Sequence, residues 1–527
     1  MSCSNRSLRF LLLGLSAIGL SAHGTTGFAQ AKAPTGRVPA SDSPVSSAGT
    51  PATRWNPKSS AYLKSSNTGK DNQFGYTIAL SGDGNTLVVG AVGESSAAKG
   101  INGNQADHSA VNAGAVYVYT RGGSGWKQQA YVKASNTAKG TQFGTSVAVS
   151  NDGNTLAVGS NGEASSAKGI NGDQSDTSMY GAGAVYVFTR SGDTWSQQAY
   201  VKASNTGGVD VGNQFGYAVS LSGDGNTLAV SATSEPSAAT GINGNQADTS
   251  APDAGAVYVF TRSGSTWAQQ AYVKPWNTTG QGNLFGYSVG LSGNGDTLAV
   301  GAFNEDGGKG AAYIFTRNDG KWSQQSRVES SNAERGDSLG SSIAISADGN
   351  TMAAGAFDED SVLKGIQPPN EGANDARSDV STGAAYVFVR NGTTWSQQAF
   401  VKATNTRLND QFAWALALSG DGNTLAVGAH LEDSGASGIN GNEEDASAPD
   451  SGAVYVYARR GTAWAPVAYV KASNPKPAAE FGLSVALNDD GKVLAVGAPK
   501  ENSSAPGVNS KPTDKSATDS GAAYVYY

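Results

Sequence analysis

Seven glutamates at one repeated position form the clearest carboxylate pattern in this sequence. Each stands four residues after the residue, usually glycine, near the end of a short apolar segment. The seven are Glu94, Glu163, Glu235, Glu305, Glu359, Glu432 and Glu501. If the segments are strands of a ring, these side chains form an acidic circle that attracts cations or accepts hydrogen bonds from hydroxyl groups, and they are the candidate ligand-binding face. Alternatively, each glutamate anchors its own loop by accepting backbone N–H bonds.

A second polar pattern is an oxygen-rich loop at 100–107, with copies at 169–176 and 241–248 and an altered copy at 438–445. The candidate metal ligands are Asn102, Asn104, Asp107, Asn171, Asp173, Asp176, Asn243, Asn245, Asp248, Asn440, Asn442, Glu443 and Asp445. Such oxygens suit Ca²⁺ or a sugar. They also suit self-supporting Asx turns. No cofactor is required by the sequence; Ca²⁺ is the only one that these loops suggest, and the last copy, where Glu444 joins Glu443 and Asp445, is the best cation candidate.

Residues for catalysis are sparse. Beyond the N-terminal segment there are two histidines, His108 and His430, and neither lies in a nucleophile or zinc motif. The single cysteine, Cys3, lies in that segment. We therefore predict no catalytic residues, although a pair of the repeated glutamates could serve acid–base chemistry in a polysaccharide-acting enzyme, a lyase or hydrolase.

These side chains are positioned by a unit that recurs seven times. Its landmark is Phe-Gly or a variant, at 74, 143, 215, 285, 339, 412 and 481. An alternating run follows, then an Asp-Gly or Asn-Gly turn and a second apolar run, which is a strong hairpin signal. A third run resembles 114–119, and a fourth begins at a tryptophan, as in Trp126–Val132. This pattern predicts that each unit forms four antiparallel strands.

The two ends of the repeat region complement each other. The seventh unit stops after its third strand, whereas residues 55–64 resemble a fourth strand with no unit before it. Pairing between them closes a ring, so we predict an all-β, seven-bladed β-propeller with four-stranded antiparallel blades, closed by the N-terminal strand pairing with the C-terminal blade. The 70 glycines fall mainly at turns and strand ends of this repeat.

Composition and the N-terminal residues suggest an exported protein. Residues 1–31 resemble a signal peptide, with Arg6 and Arg9 before an apolar stretch and Ala29-Gln30-Ala31 as a cleavage site. Residues 32–54 form a Pro/Ser/Thr/Ala-rich flexible linker, and 55–527 form the propeller. A formal charge of -7 disfavours nucleic acid. We expect no membrane span in the mature chain, a monomer, and a periplasmic, extracellular or cell-surface location.

The repeat resembles the FG-GAP repeat of integrin alpha-subunit propellers and of bacterial exported proteins; the seventh unit reads Phe481-Gly482 and then Gly497-Ala498-Pro499. That resemblance implies a propeller used for binding or adhesion. One departure is that the integrin-type cation loop is replaced by a short Asp-Gly turn, as at 81–86, which favours a tight hairpin over a calcium cage.

Strand alternation places the long loops after second strands on one face, with the Asp-Gly hairpins on the other. The fourth unit is an exception, because only four residues separate Glu305 from Gly310. We expect this deletion to leave a notch in the rim.

Two further sets of repeated residues are expected to be architectural. Repeated lysines after the fourth strand suggest solvated edge charges, and repeated tryptophans suggest packing between blades. Trp276 and Trp414, outside the repeated position, are candidates for exposure.

The function that fits best is an exported, non-enzymatic propeller that recognises an extracellular protein or glycan through its long-loop face. The polysaccharide-acting enzyme and a purely structural envelope component are the alternatives.

Overall fold

The computed structural model describes residues 54–207, 212–278, 282–368, 380–510 and 514–527. The predicted signal peptide and nearly all of the predicted linker lie outside these ranges. Within them, seven antiparallel sheets follow one another along the chain, and we number them as blades 1 to 7. No helix of the described ranges has the length and apolar character needed to cross a bilayer.

The strand bounds follow the repeat. Blade 1 contains β2 (Phe74–Leu80), β3 (Thr86–Ala91), β4 (Ala115–Gly122) and β5 (Gly125–Val132); blade 2 contains β6 (Ser146–Val149), β7 (Thr155–Ser160), β8 (Ala184–Ser191) and β9 (Thr194–Val201). Blade 3 contains β10 (Phe215–Leu221), β11 (Thr227–Ala232), β12 (Ala256–Ser263) and β13 (Thr266–Val273); blade 4 contains β14 (Ser288–Leu291), β15 (Thr297–Ala302), β16 (Ala311–Asn318) and β17 (Lys321–Val328).

Blades 5 to 7 complete the ring. Blade 5 contains β18 (Ser342–Ile345), β19 (Thr351–Ala356), β21 (Ala384–Asn391) and β22 (Thr394–Val401), with β20 (Ile366–Gln367) added at its edge. Blade 6 contains β23 (Ala415–Leu418), β24 (Thr424–Ala429), β25 (Ala453–Arg460) and β26 (Ala463–Val470); blade 7 contains β27 (Ser484–Leu487), β28 (Leu494–Ala498), β29 (Ala522–Tyr526) and β1 (Ser60–Leu63). A single helical turn, α1 (Glu305–Gly308), occupies the shortened connection of blade 4.

Closure of the ring is confirmed. β1 pairs antiparallel with β29, with Ser60 opposite Tyr526 and Leu63 opposite Ala523. The first strands of neighbouring blades also contact one another all the way round, including β2 with β27. The first strand of each blade therefore lies nearest the axis, and the fourth lies at the outside.

The Phe-Gly landmark is a joint between blades. The backbone N–H of Phe143 in blade 2 donates to the carbonyl of Ala113 in blade 1 at 2.9 Å, and the other six landmarks make the same bond. Gly75 shows why glycine suits this joint: its φ is +93°, and a Cβ there would lie 2.3 Å from the carbonyl oxygen of Ala522.

The hydrophobic core lies between the blades. One cluster, for example, contains Val118 and Val132 of blade 1 with Leu156 and Phe188 of blade 2. The repeated tryptophans close these layers, as predicted: Trp195 Nε1 donates to Gln129 Oε1 of the preceding blade at 2.9 Å. In blades 1 to 6, the tryptophan of the fourth strand is buried, and an arginine lies over its ring. Blade-to-blade packing therefore replaces a single central core.

Candidate functional site: the channel mouth and the buried glutamates

The repeated glutamates lie in buried ion pairs. In blade 1, Glu94 Oε2 lies 2.7 Å from Lys133 Nζ, and the two side chains are at most 1% exposed. Asn67 Nδ2 donates to Glu94 Oε1 at 3.0 Å, and the Tyr131 hydroxyl donates to the same oxygen at 3.1 Å. Inside the protein, the carboxylate thus has a cation, an amide and a phenol as partners in place of water.

A cation and an amide contact the repeated glutamate in every blade of the described chain. The ion pairs, at 2.5 to 3.0 Å, are Lys133–Glu94, Lys202–Glu163, Lys274–Glu235, Arg327–Glu305, Lys402–Glu359, Lys471–Glu432 and Lys64–Glu501. An asparagine from the connection to the preceding blade donates to each carboxylate: Asn67, Asn136, Asn205, Asn277, Asn332, Asn405 and Asn474. Each cluster therefore ties one blade to the blade before it.

This geometry corrects two expectations. Glu94, Glu163, Glu235, Glu305, Glu359, Glu432 and Glu501 do not present an open acidic circle, because all seven are at most 2% exposed and each is paired with a cation. The lysines expected as solvated edge charges are fully buried. Anchoring of a loop through backbone N–H groups does occur at Glu235, Glu432 and Glu501, alongside the lysine bond.

The charges perturb one another as burial predicts. Burial lowers the pKa of Lys64 to about 8, although Glu501 opposes that shift. Burial alone would raise the pKa of Glu501, but Lys64, the backbone N–H of Ser503 and Lys476 together lower it. The pair stays ionised near neutral pH, which fits a structural role.

Blade 4 forms its ion pair by a different route. The tyrosine and lysine positions of the fourth strand are occupied by Arg327 and Glu329. Arg327 Nη2 lies 2.8 Å from Glu305 Oε1, so the cation has moved two residues along the strand while the pairing is kept. Arg327 is 20% exposed, whereas the lysines are 0% exposed, because no long loop covers it.

The side chains of the oxygen-rich loops accept hydrogen bonds from their own loops and from neighbouring segments of the chain. Asn102 Oδ1 accepts from the backbone N–H of Tyr131 at 2.9 Å, and Asp107 accepts from the N–H groups of Ala97 and Ser109. The equivalent side chains of the other copies do the same: Asn171, Asp176, Asn243, Asp248, Asn440 and Asp445. The remaining loop side chains also accept hydrogen bonds: Asn104, Asp173, Asn245, Asn442 and Glu443.

The bonds that Asn104 and Asp107 accept from the N–H groups two residues further along the chain are those of the Asx-turn alternative. Hydrogen bonds from Ser109 and Ala97 lower the pKa of Asp107. Within the described ranges, no three or more His, Cys, Asp or Glu side chains gather as a metal site would require. Calcium binding stays a prediction.

The loops also cover the outer strands. Ile101 bridges to Val132, and the N–H of Asn102 donates to the carbonyl of Tyr131 at 2.7 Å. Sequence reasoning missed this role, although Gly-Ile-Asn or a near variant occurs in six of the seven units.

Aromatic side chains gather at the axial end of the long-loop face. Two positions per blade point there by topology: the residue after Phe-Gly, where the innermost strand begins, and the residue after the second strand. We call Tyr217, Tyr287, Phe303, Phe357, Trp414 and His430 the mouth arc. It spans blades 3 to 6.

The rings of the mouth arc touch in sequence. Their centroid separations are 5.2 Å for Tyr217–Tyr287, 4.4 Å for Tyr287–Phe303, 6.5 Å for Phe303–Phe357, 5.0 Å for Phe357–Trp414 and 4.6 Å for Trp414–His430. Phe357 and His430 are buried, and the other four are partly exposed. The arc adjoins the shortened connection of blade 4, because Phe303 directly precedes that connection.

Polar groups accompany the arc. Asp358 follows Phe357 and accepts hydrogen bonds from Ser381 and Ser338, while burial raises its pKa to about 6. Lys500 Nζ donates to Glu480 Oε1 at 2.6 Å. His430 Nδ1 has no partner among the described residues, and burial, aided by Lys500, lowers its pKa to about 3. The arc therefore combines ring faces with carboxylates, a cation and a neutral imidazole.

The hairpin face is drawn together around the axis. The N–H of Gly223 donates to the carbonyl of Gly293 at 2.8 Å, and Ala347 donates to Gly420 in the same way. Asn151 reaches across to Asp489, Nδ2 to Oδ2, at 2.8 Å. We call this set of turn contacts the hairpin belt. It favours ligand access from the long-loop face.

The class of protein follows from the ring and its repeat. A family model described as the FG-GAP repeat matches residues 126–188, 267–315 and 395–457, each joining the fourth strand of one unit to the third strand of the next. Together with the seven blades, these matches support an FG-GAP β-propeller protein. Such a propeller fits a binding or adhesion role. No curated protein matches the sequence significantly.

Three solved structures show a distant similarity to this chain. The β-propeller domain of Myceliophteria thermophila Cps50 (Swd1) has a TM-score of 0.47 and 11% identity, covering 90% of this chain and 99% of its own. Hydrazine synthase of Kuenenia stuttgartiensis has a TM-score of 0.44 and 14% identity, and the match covers 82% of this chain and 94% of that one. A putative 6-phosphogluconolactonase of Bacteroides uniformis has a TM-score of 0.41 and 12% identity, and the match covers 73% of this chain and 85% of that one. At these scores the similarities carry no functional argument.

Proposed function

We propose that this chain is an exported, non-enzymatic binding propeller that recognises a glycan at the mouth of its long-loop face. The observation that carries the proposal is the mouth arc, a run of touching rings beside carboxylates and a lysine. Apolar faces of sugar rings pack on aromatic side chains, and sugar hydroxyls hydrogen-bond to carboxylates such as that of Asp358.

A glycan suits the site better than a broad protein surface does. The arc lies near the axis, and the hairpin belt draws the opposite end together. A protein ligand would have to insert a narrow segment, whereas the end of a saccharide chain is narrow already. The notch of blade 4 next to Phe303 offers an open side for the rest of an extended chain.

The test is binding of the purified mature chain to glycan and extracellular-matrix arrays, with and without calcium, followed by calorimetry on any hit. We expect Trp414→Ala and Tyr287→Ala to weaken glycan binding by about tenfold each, as loss of an aromatic contact of ~1–2 kcal/mol implies. Trp276→Ala is the matched control, because Trp276 is 54% exposed but lies outside the arc.

Unchanged affinity in both arc variants, or an array on which only matrix proteins bind, would contradict the glycan assignment. The second result would favour the protein-ligand alternative.

One observation favours the polysaccharide-acting enzyme as a second candidate. Asp358, with a pKa raised to about 6 by burial, lies beside the aromatic arc, where a protonated carboxyl can act as a general acid. Cleavage of a polysaccharide by the purified chain, abolished in Asp358→Asn with unchanged folding, would replace the non-enzymatic proposal.

Export rests on the N-terminal sequence and has its own test. Expression with residues 1–31 should yield a processed chain outside the cytoplasm that begins near Lys32, as N-terminal sequencing of cell fractions would show. An unprocessed chain retained in the cytoplasm would contradict export.

A further inference from the structure

The outer strand of blade 4 has an uncovered edge. In the six other blades, a Gly-Ile-Asn segment or a close variant lies antiparallel along the end of the fourth strand, through Ile101–Val132, Ile170–Val201, Ile242–Val273, Ile366–Val401, Ile439–Val470 and Val508–Leu63. Blade 4 has no such segment, because its connection is four residues long.

The covering segment makes the same backbone bonds in each of five blades. In blade 1, the N–H of Asn102 donates to the carbonyl of Tyr131, Asn102 Oδ1 accepts from the N–H of Tyr131, and the N–H of Lys133 donates to the carbonyl of Gly100 at 2.8 Å. Arg327 and Glu329 occupy the Tyr131 and Lys133 positions of blade 4. Within the described ranges, no backbone partner fills the outward-facing groups of these two residues.

An open pocket lies where the covering isoleucine would be. Ile101 packs into the cluster of blades 1 and 2 that contains Val132, Phe188 and Trp195. Between blades 4 and 5, a solvent-open pocket of about 310 Å³ is lined by the corresponding Val328, Phe388 and Trp395, together with Arg327, Glu329 and Gln397.

Exposure next to the edge points the same way. The position of Trp276 is occupied in blade 1 by Ser135, whose hydroxyl contacts Gln174 of the next long loop. In blade 4 that loop is absent, and Trp276 is 54% exposed, with its backbone N–H held by Gln324 of β17.

We propose that this edge is a strand-addition site for an extended segment of a partner protein. The segment carries Gly-Ile-Asn or Gly-Val-Asn and lies antiparallel to the end of β17. Its aliphatic side chain enters the pocket between Val328 and Trp395, and its asparagine makes the paired bonds to Arg327 that Asn102 makes to Tyr131. The six internal copies define the chemistry of the occupant, since each is a peptide bound to an equivalent edge.

The probe is a synthetic peptide of residues 98–107 of this chain, used with the full mature protein. We expect saturable binding by calorimetry, weakened about tenfold when the isoleucine is replaced by aspartate, because a buried aliphatic side chain is lost. A photoreactive group at that isoleucine should label the strand containing Val328.

The matched variant carries the 19-residue connection of blade 1, residues 95–113, in place of residues 306–309. With the edge covered from within, peptide binding should disappear while circular dichroism and a melting temperature no lower than that of the parent show an intact fold. Trp414→Ala should bind the peptide normally, which separates this site from the glycan site.

Three results would overturn the proposal: no peptide binding at millimolar concentration, binding that persists in the loop-grafted variant, or equal binding of the isoleucine-to-aspartate peptide. Self-association of the parent that the graft abolishes would assign the edge to a second copy of this chain instead.

Discussion

Nζ of Lys64 lies 3.0 Å from Oε2 of Glu501, although the two residues are 437 positions apart in the sequence. The hydroxyl group of Tyr62, which lies in β1 two residues before Lys64, also donates a hydrogen bond to Oε2 of Glu501 at 2.9 Å. The strand pairing of β1 with β29 is thus reinforced by the same buried cluster that the other blades build from contiguous sequence. This ion pair therefore stabilises the closed ring electrostatically, in addition to the strand hydrogen bonds.

Breaking that pair should destabilise the whole ring. Lys64→Ala leaves the carboxylate of Glu501 buried with only the partly exposed Lys476 nearby. We expect a loss of about 3–5 kcal/mol in the free energy of unfolding, measured by chemical denaturation.

Lys492→Ala is the control for Lys64→Ala, because Lys492 forms an exposed ion pair with Asp490 and should matter by less than ~1 kcal/mol. Similar losses in the two variants would show that burial does not distinguish the pairs.

The displaced cation of blade 4 can be moved back to its usual position. Arg327→Tyr alone should leave Glu305 buried without its cation and cost about 3 kcal/mol of unfolding free energy. Adding Glu329→Lys restores the tyrosine and lysine of the other blades and should recover most of that loss. A double variant no more stable than the single one would disprove the equivalence of the two arrangements.

Asp410 should make stability depend on pH. Burial raises its pKa to about 8, Glu432 and Asp433 raise it further, and Arg407 and Lys471 oppose them. In blades 1 and 3, an asparagine at this position donates its amide to a loop carbonyl, as Asn72 does to Asn67 at 3.2 Å. A protonated Asp410 can donate in the same way, whereas a carboxylate cannot.

The sign follows from the raised pKa. The folded state holds the proton between about pH 4 and pH 8 while the unfolded state releases it, so this group makes stability fall as pH rises through that window. Asp410→Asn should therefore raise the melting temperature at pH 7.5, with a smaller gain at pH 5. A gain independent of pH would contradict protonation as the cause.

Calcium binding by the sixth-blade loop has a direct test. Calcium should raise the melting temperature and a chelator should reverse the change, as expected for a ligand that binds only the folded state. Glu443→Gln with Glu444→Gln should remove the effect, and the same substitution type at Glu329, outside the loops, should not. If neither calcium nor a chelator changes the melting temperature, the prediction of calcium binding is wrong.

The fold was predictable because its signals are local and repeated. Asp-Gly turns between alternating runs define each hairpin, and the complementary first and last strands define closure. The roles of the charges were harder to predict, because a lysine after a strand looks the same whether solvent or Glu94 is its partner. Spacing in the sequence does not show that the side chains of Glu94 and Lys133, which are 39 residues apart, are in contact in the folded chain.

The mouth arc escaped prediction for another reason. Its two positions hold different residues in different blades, such as Tyr287, Ser341 and Trp414 after the Phe-Gly landmark. Attention to residues that repeat selects those that build the ring. Variation at a fixed position marks what the ring displays, as it does in other repeat proteins.

The route of closure also has a consequence for how the chain is made. β1 emerges early from the ribosome, but its partner β29 begins some 460 residues later. At ~5–20 residues per second, roughly 20–90 s pass before the two can meet. Throughout that interval β1 and the incomplete ring present unpaired strand edges, which are templates for aggregation. The last strand made is therefore the one that ends the exposure of the first.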